Sequence, residues 1–147
     1  MEERELRLDH NTLSAAQRAY RKALEPVCLQ WGLTQTELDI LLFLRNNPQY
    51  DRAVDVAEGR GLQKSHVSLS VGNLILRGML EKHPDPMDKR SVRLVLTRKG
   101  IEAAQAGHLV QKRFFGQLSD GISEEDLEHF RHTVQKILKN IACINQL

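Results

Sequence analysis

The spacing of apolar residues along the first half of the chain predicts four helices. A first helix over about residues 10–30 is indicated by apolar residues that recur every three or four positions. They are Leu13, Ala16, Tyr20, Leu24 and Val27. Gly32 ends this helix, and the capping box formed by Thr34 and Glu37 opens a second one. The second helix turns Leu38, Leu41, Leu42 and Leu44 inward, and Asn46-Asn47-Pro48 stops it.

Two further helices are predicted before the pattern changes. A short helix spans about residues 53–60 and carries Val54, Val56 and Ala57. After a turn at Gly61, a fourth helix runs from Gln63 to Arg77, and Gly78 is placed to end it. Val67, Val71 and Leu74 share the inward face of this helix. At 100° per residue the opposite face is small and nearly uncharged. It holds Ser65, Leu69, Gly72 and Asn73, with His66 and Ser68 at its flanks.

The pattern then switches from helical to alternating, which predicts a hairpin of two strands. Residues 80–84 form one short strand, and Ser91 to Leu96 form the other, with Val92, Leu94 and Leu96 on one side. The polar, turn-rich segment 85–90 joins them. Lys89 and Arg90 are expected at the tip of this hairpin, with Arg93 on the returning strand.

Two long helices are predicted after the hairpin. Thr97 caps a helix that runs to about Leu118, Asp120-Gly121 breaks it, and Ser123 with Asp126 starts the last helix. That last helix carries an apolar stripe with heptad spacing. The stripe is formed by Leu127, Phe130, Val134, Ile137, Ile141 and Ile144. It is too long for a small local core, so we expect it to pack against the preceding helix and a second copy of the chain. Packing within one chain is the alternative.

Charge is distributed unevenly along the chain. The net charge is only +2, but residues 60–100 hold nine basic and three acidic residues, whereas both flanking segments are net negative. A local excess of this kind is typical of a polyanion partner, and a solvated basic face is the alternative. A helix-turn-helix places its second helix in the major groove of DNA. A basic hairpin beside it can reach the minor groove, whose negative potential attracts arginine.

At these residues the chain resembles a known family. The MarR family of bacterial transcription regulators is similar in its recognition helix, its hairpin and the exit from that hairpin. The matching residues here are Gly61 to Ser68, Leu74 to Leu80, Asp85-Pro86-Met87-Asp88-Lys89-Arg90 and Leu96-Thr97-Arg98-Lys99-Gly100. The motif match spans about residues 53–100, and the order of elements agrees over the whole chain. The fold class expected is mainly α (α+β), a winged helix-turn-helix with flanking N- and C-terminal helices that form a dimerisation region.

The resemblance also implies a division of labour within one unit. Residues 34–100 would form the DNA-binding lobe, and residues 1–33 and 101–147 the dimerisation helices. A homodimer would bind a pseudo-palindromic operator in double-stranded DNA, as a repressor, often under control of a small ligand or an oxidant. Arg90, positioned by Asp88, would enter the minor groove. The residues expected at DNA are Lys64, Ser65, His66, Ser68, Leu69, Asn73, Arg77, Asp88, Lys89, Arg90 and Arg93.

Other functions find less support in the sequence. His129 and His132 are three residues apart on one helix, but no further ligand completes a metal site, so no metal or other cofactor is expected. We expect Cys28 to be a buried structural thiol rather than a redox sensor. No enzyme motif is present. A ligand- or metal-responsive protein-interaction module is the alternative function. The absence of a long apolar run and of a signal peptide predicts a cytoplasmic protein.

Overall fold

The computed structural model describes residues 9–146, which form six helices and a two-stranded antiparallel sheet. The chain is mainly helical, as predicted. The elements in order are α1 (His10–Trp31), α2 (Gln35–Asn46), α3 (Ala53–Arg60), α4 (Lys64–Leu76), β1 (Leu80–Asp85), β2 (Asp88–Leu96), α5 (Arg98–Leu118) and α6 (Glu124–Asn145). They fall into two compact units, residues up to 112 and residues 113 onward, so α5 contributes to both.

Local capping determines where several helices begin and end. The Thr34 hydroxyl accepts a hydrogen bond from the backbone N–H of Glu37, and the Glu37 carboxylate accepts from the N–H of Thr34. This capping box satisfies two N–H groups that the first turn of α2 leaves free. Gly32 ends α1 in the left-handed conformation with φ of 62°, which a side chain would disfavour. Both predictions made from the sequence are confirmed.

The core of the first unit lies where α1, α2, α3, α4 and the base of the hairpin meet. Leu24, Leu38, Leu41, Leu74 and Met79 are fully buried there. The inward residues predicted for α2 and α4 are all buried. In α1 only the second half contributes, because Leu13 and Ala16 are exposed while Leu24 and Val27 are buried. Val54, predicted on the third helix, is also exposed.

The hairpin is longer and its turn tighter than the sequence predicts. The strands extend to Asp85 and from Asp88, so that only Pro86 and Met87 form the turn. The expectation that Lys89 and Arg90 lie at the tip is therefore wrong. They belong to β2, and Met87, which is 94% exposed, occupies the tip. The carboxylate of Asp85 closes the turn by accepting from the N–H of Met87 at 3.0 Å.

A tight junction joins the hairpin to α5. The Thr97 hydroxyl donates to the carbonyl oxygen of Gly78 at 2.6 Å and accepts from the N–H of Gly100 at 3.1 Å. The N–H of Thr97 donates to the carbonyl oxygen of Met79. A Cβ atom on Gly100 would lie 2.1 Å from that same Met79 oxygen. The backbone of α5 can approach the segment between α4 and β1 this closely only because residue 100 is glycine.

The second unit holds the end of α5 and all of α6. Ser123 caps α6 by accepting from the N–H of Asp126, as predicted. Across its 22 residues α6 has no buried residue. No helix among residues 9–146 is both long and apolar enough to cross a membrane.

Candidate nucleic-acid interface

The outward face of α4 is the first part of the candidate interface. Ser65, Ser68, Leu69 and Asn73 are exposed, and Leu69 is 66% exposed although it is apolar. Lys64 and His66 are exposed at the start of the helix. Val67, Val71 and Leu74 face the core and hold the helix in place. The helix therefore presents hydroxyl, amide and aliphatic groups, which can read base edges in a major groove.

An irregularity in the hairpin supplies the second part. The register of the strands passes from Pro84 opposite Val92 to Asp85 opposite Asp88. This shift leaves Lys89, Arg90 and Ser91 as extra residues on β2. Such a bulge bends a strand and changes the direction of its side chains. Lys89 and Arg90 are exposed there, beside the tip of the hairpin.

Asp88 acts on the backbone of this bulge. Its Oδ1 accepts a hydrogen bond from the backbone N–H of Arg90 at 3.0 Å. The sequence analysis expected Asp88 to position Arg90, and the contact that the structure shows between these residues is to the main chain of Arg90. Asp88 thus fixes the conformation of the strand from which the Arg90 side chain projects. The role of Asp88 in positioning Arg90 stays a prediction, and it would act through the backbone N–H of Arg90.

Residues of the segment between α2 and α3 brace the hairpin. The carboxylate of Asp51 accepts from Nε of Arg93 at 2.7 Å, and its carbonyl oxygen accepts from the N–H of Leu94. Arg52 donates to the carboxylate of Asp85, also at 2.7 Å. The sequence suggested Arg93 as a DNA contact. In the structure its Nε bonds to Asp51, and this bond holds β2 against the segment between α2 and α3. Asp51 and Arg52 were missed in the sequence, because 42 and 33 residues separate them from these partners.

Arg77 lies apart from the other residues expected at DNA. Its guanidinium donates to the carbonyl oxygens of Trp31 and Gly32, at the end of α1, and lies 3.7 Å from the carboxylate of Glu37. The structure thus directs Arg77 toward the turn between α1 and α2 and away from the exposed face of α4.

Comparison with known proteins agrees with this geometry. The model of the MarR family matches residues 31–91, from the end of α1 into β2. This segment, less than half of the chain, is similar to the MarR family. The match includes α3, α4 and the turn of the hairpin, which are the elements just described.

Solved structures extend the likeness from this segment to the fold of most of the chain. MepR of S. aureus in complex with DNA has a TM-score of 0.75 and 20% identity, over 90% of this chain and 94% of that chain. CouR from Rhodococcus jostii bound to p-coumaroyl-CoA has a TM-score of 0.71 and 23% identity, over 86% and 88%. Apo MarR from E. coli has a TM-score of 0.66 and 18% identity, over 91% and 99%. The chain has the fold of a MarR-family transcription regulator.

In this MarR-family fold the heptad stripe of α6 stays largely uncovered. Leu127, Val134 and Ile137 are half-buried, while Phe130, Ile141 and Ile144 are exposed. An apolar cleft of about 700 Å³ opens beside the start of the stripe. Its lining includes Phe115, Leu118, Ile122, Leu127 and Phe130. Apolar surface in such continuity is typical of a protein–protein interface.

The residues considered for sensing or metal binding have ordinary surroundings. Cys28 is buried, as expected, and burial raises the pKa of its thiol, with the carboxylate of Asp39 as a further cause. A raised thiol pKa lowers the fraction of reactive thiolate. His129 and His132 are both exposed on α6. Within residues 9–146, no three histidine, cysteine or acidic side chains are grouped so that they could hold a metal ion.

Proposed function

We propose that this protein is a MarR-family regulator, a homodimer that binds DNA sequence-specifically and acts as a repressor on a pseudo-palindromic operator. The observation that supports it best is the pairing of an exposed, nearly uncharged face on α4 with an exposed basic bulge on β2. Ser65, Ser68 and Asn73 would face base edges and phosphates in the major groove. Arg90 would enter the adjacent minor groove. Lys64, His66, Leu69 and Lys89 would flank these contacts.

The dimer in this proposal uses the flanking helices. Residues 1–33 and 101–147 would form the dimerisation region around the α6 stripe, and residues 34–100 would form the DNA-binding lobe. Residues 1–8 and 147 of that region lie outside the described part of the chain. A two-fold symmetric dimer presents two copies of α4, which is why a pseudo-palindromic site is expected. The DNA complex of MepR supports DNA as the partner.

A small-molecule effector is the remaining part of the proposal. Two polar atoms in the first unit, Nε1 of Trp31 and Nδ1 of His108, are buried with no hydrogen-bond partner among residues 9–146. Buried polar groups normally have partners, so these atoms favour a bound polar molecule. CouR bound to p-coumaroyl-CoA supports control by a ligand. Selection of DNA sequences by the purified protein, repeated with and without metabolite extract, would identify the operator and test for release.

We expect binding to DNA to weaken steeply as salt concentration rises. A protein that neutralises phosphates releases counterions, which gives a slope of about −0.9 in log affinity against log salt for each phosphate. Fluorescence anisotropy with a random duplex at several salt concentrations measures this slope, and the selected operator then measures specificity. An affinity independent of salt, or no binding to either duplex, would reject DNA as the partner and favour a protein-interaction module.

Replacing Arg90 with alanine should weaken operator binding by about 1–3 kcal/mol. It should also relax the preference for particular bases where the hairpin would contact the operator. The reason is that its guanidinium is exposed on the bulge and would lie in a groove where negative potential is high. Lys112→Ala is the matched control, because Lys112 is an exposed cation on α5 outside the basic segment. Equal losses in the two variants, measured by anisotropy at one salt concentration, would show that β2 does not read a groove.

A further inference from the structure

The guanidinium of Arg77 joins three helices at one point. Arg77 directly follows the last residue of α4. Its guanidinium donates to the carbonyl oxygen of Trp31, at 2.5 Å, and to that of Gly32. Glu37, in the first turn of α2, has its carboxylate 3.7 Å away and is only 5% exposed. The end of α1, the start of α2 and the end of α4 therefore meet at this side chain.

The partners of Arg77 explain why arginine suits this position. The last carbonyl groups of a helix lack intrahelical donors and carry the negative end of the helix dipole. The planar fork of a guanidinium can donate to two such oxygens at once, which an ammonium group does poorly. A Cβ atom on Gly32 would lie 3.1 Å from Nη2 of Arg77, so the turn approaches the guanidinium closely. The Glu37 carboxylate is itself held by the capping box with Thr34.

The other contacts of α4 with the core are mainly apolar. Val67, Val71 and Leu74 bury the inner face of the helix, but apolar contact has little directional preference. The bonds of Arg77 are directional and restrain the end of α4 against the α1–α2 turn. At the same place Nζ of Lys99 donates to the carbonyl oxygen of Arg77 at 3.2 Å and connects α5. These polar contacts at the end of α4 add a directional restraint to the apolar packing of the helix.

We propose that Arg77 is a positioning residue, which ties the recognition helix to the end of α1 and determines operator specificity without contacting DNA. This inference rests on the proposed function. Because α1 belongs to the proposed dimerisation region, the same link would set the spacing of the two α4 helices in the dimer. Half-site spacing on an operator is a geometric consequence of that distance.

The test compares Arg77→Met and Arg77→Lys with the wild-type protein on two probes, the selected operator and a random duplex. Methionine keeps an aliphatic stem and removes every donor, whereas lysine keeps the charge without the fork. Arg113→Met is the control, since Arg113 is exposed on α5. We expect Arg77→Met to lose about tenfold or more in operator affinity, comparable to the loss of one base contact. Its random-duplex affinity and salt slope should stay unchanged, and Arg77→Lys should recover part of the loss.

Other outcomes would overturn the proposal. A salt slope reduced by about 0.9, with equal losses on both probes, would show that Arg77 contacts a phosphate directly. If folded Arg77→Met binds the operator as tightly as wild type, Arg77 contributes only to stability and the positioning role is contradicted. If Arg77→Met does not fold, Arg77→Lys is compared with the wild-type protein on the same two probes. An Arg77→Lys protein with the full operator specificity of wild type would show that the guanidinium is not needed, which would reject the proposal.

Amide hydrogen exchange of the DNA-free protein separates this inference from the proposed function. Arg77→Met should exchange faster in α4 than wild type, with α6 unchanged, whether or not the protein binds DNA. Unaltered exchange in α4 would contradict the positioning role. A wild-type protein that binds neither duplex would contradict the proposed function, and the exchange result would still decide the role of Arg77.

Discussion

Replacing Ile141 with aspartate is expected to convert a dimer into monomers and to lower operator affinity by two orders of magnitude or more. Ile141 lies on the α6 stripe and is 44% exposed in the single chain. In a dimer its side chain would be buried, and an unpaired carboxylate there costs several kcal/mol. Separating the two DNA-binding lobes also removes the effective-concentration gain, about 10²–10⁴ in affinity. Ile137→Asp should behave in the same way.

Sedimentation equilibrium and light scattering measure the assembly state in this test. Gln135→Asp is the matched control, because it adds the same charge to an exposed position outside the stripe on the same helix. It should remain dimeric and bind the operator normally. Circular dichroism checks that each variant is still helical. A folded dimer in both Ile137→Asp and Ile141→Asp would show that the stripe is not the dimer interface.

Replacing Gly100 with alanine should destabilise the lobe by about 3 kcal/mol or more. The new Cβ atom would lie 2.1 Å from the backbone oxygen of Met79, well inside van der Waals contact. That oxygen cannot move freely, because it accepts the N–H of Thr97. Relief would require shifting either α5 or the segment between α4 and β1, and with it the base of the hairpin. Backbone clashes of this kind belong to the small group of strongly destabilising substitutions.

Denaturant unfolding at a fixed protein concentration measures this effect, since the stability of the proposed dimer would depend on concentration. Gly72→Ala is the matched control. Gly72 lies inside α4, and no heavy atom lies within 4 Å of a Cβ built there. Alanine at that position should stabilise the protein by about 0.5–1 kcal/mol. A Gly100→Ala protein as stable as wild type would show that the junction between hairpin and α5 has room to adjust.

The sequence was sufficient for the elements whose cause is local. Thr34 and Glu37 are three residues apart, so their capping box could be recognised without a structure, and Gly32 marked the end of α1 for the same reason. The inward face of α4 followed from helical spacing alone. The outward face was predicted by the same rule, since the residues opposite a buried stripe must face out.

The sequence was less informative about the hairpin. A six-residue polar segment predicted a wide loop, because Asp, Pro and Lys are all common in turns. Strand pairing instead extended to Asp85 and Asp88, and the extra residues became a bulge on β2. Register depends on the partner strand and on what the lobe places beside it, and neither is visible in the hairpin's own residues. Lys89 and Arg90 were thus identified as exposed cations, but in the wrong part of the hairpin.

By itself the sequence determined the order of helices and strands, the buried and exposed faces of α4 and the concentration of positive charge between residues 60 and 100. These depend on periodicity, capping and composition, which act over a few residues. Only the tertiary structure decided which acceptors Arg77 and Arg93 bond to. Arg77 and Arg93 bond to carbonyl and carboxylate oxygens from segments more than 40 residues away, whereas Arg90 stays exposed on the bulge. A guanidinium can satisfy either an acceptor within the fold or a phosphate outside it, and its choice depends on which acceptors folding brings near.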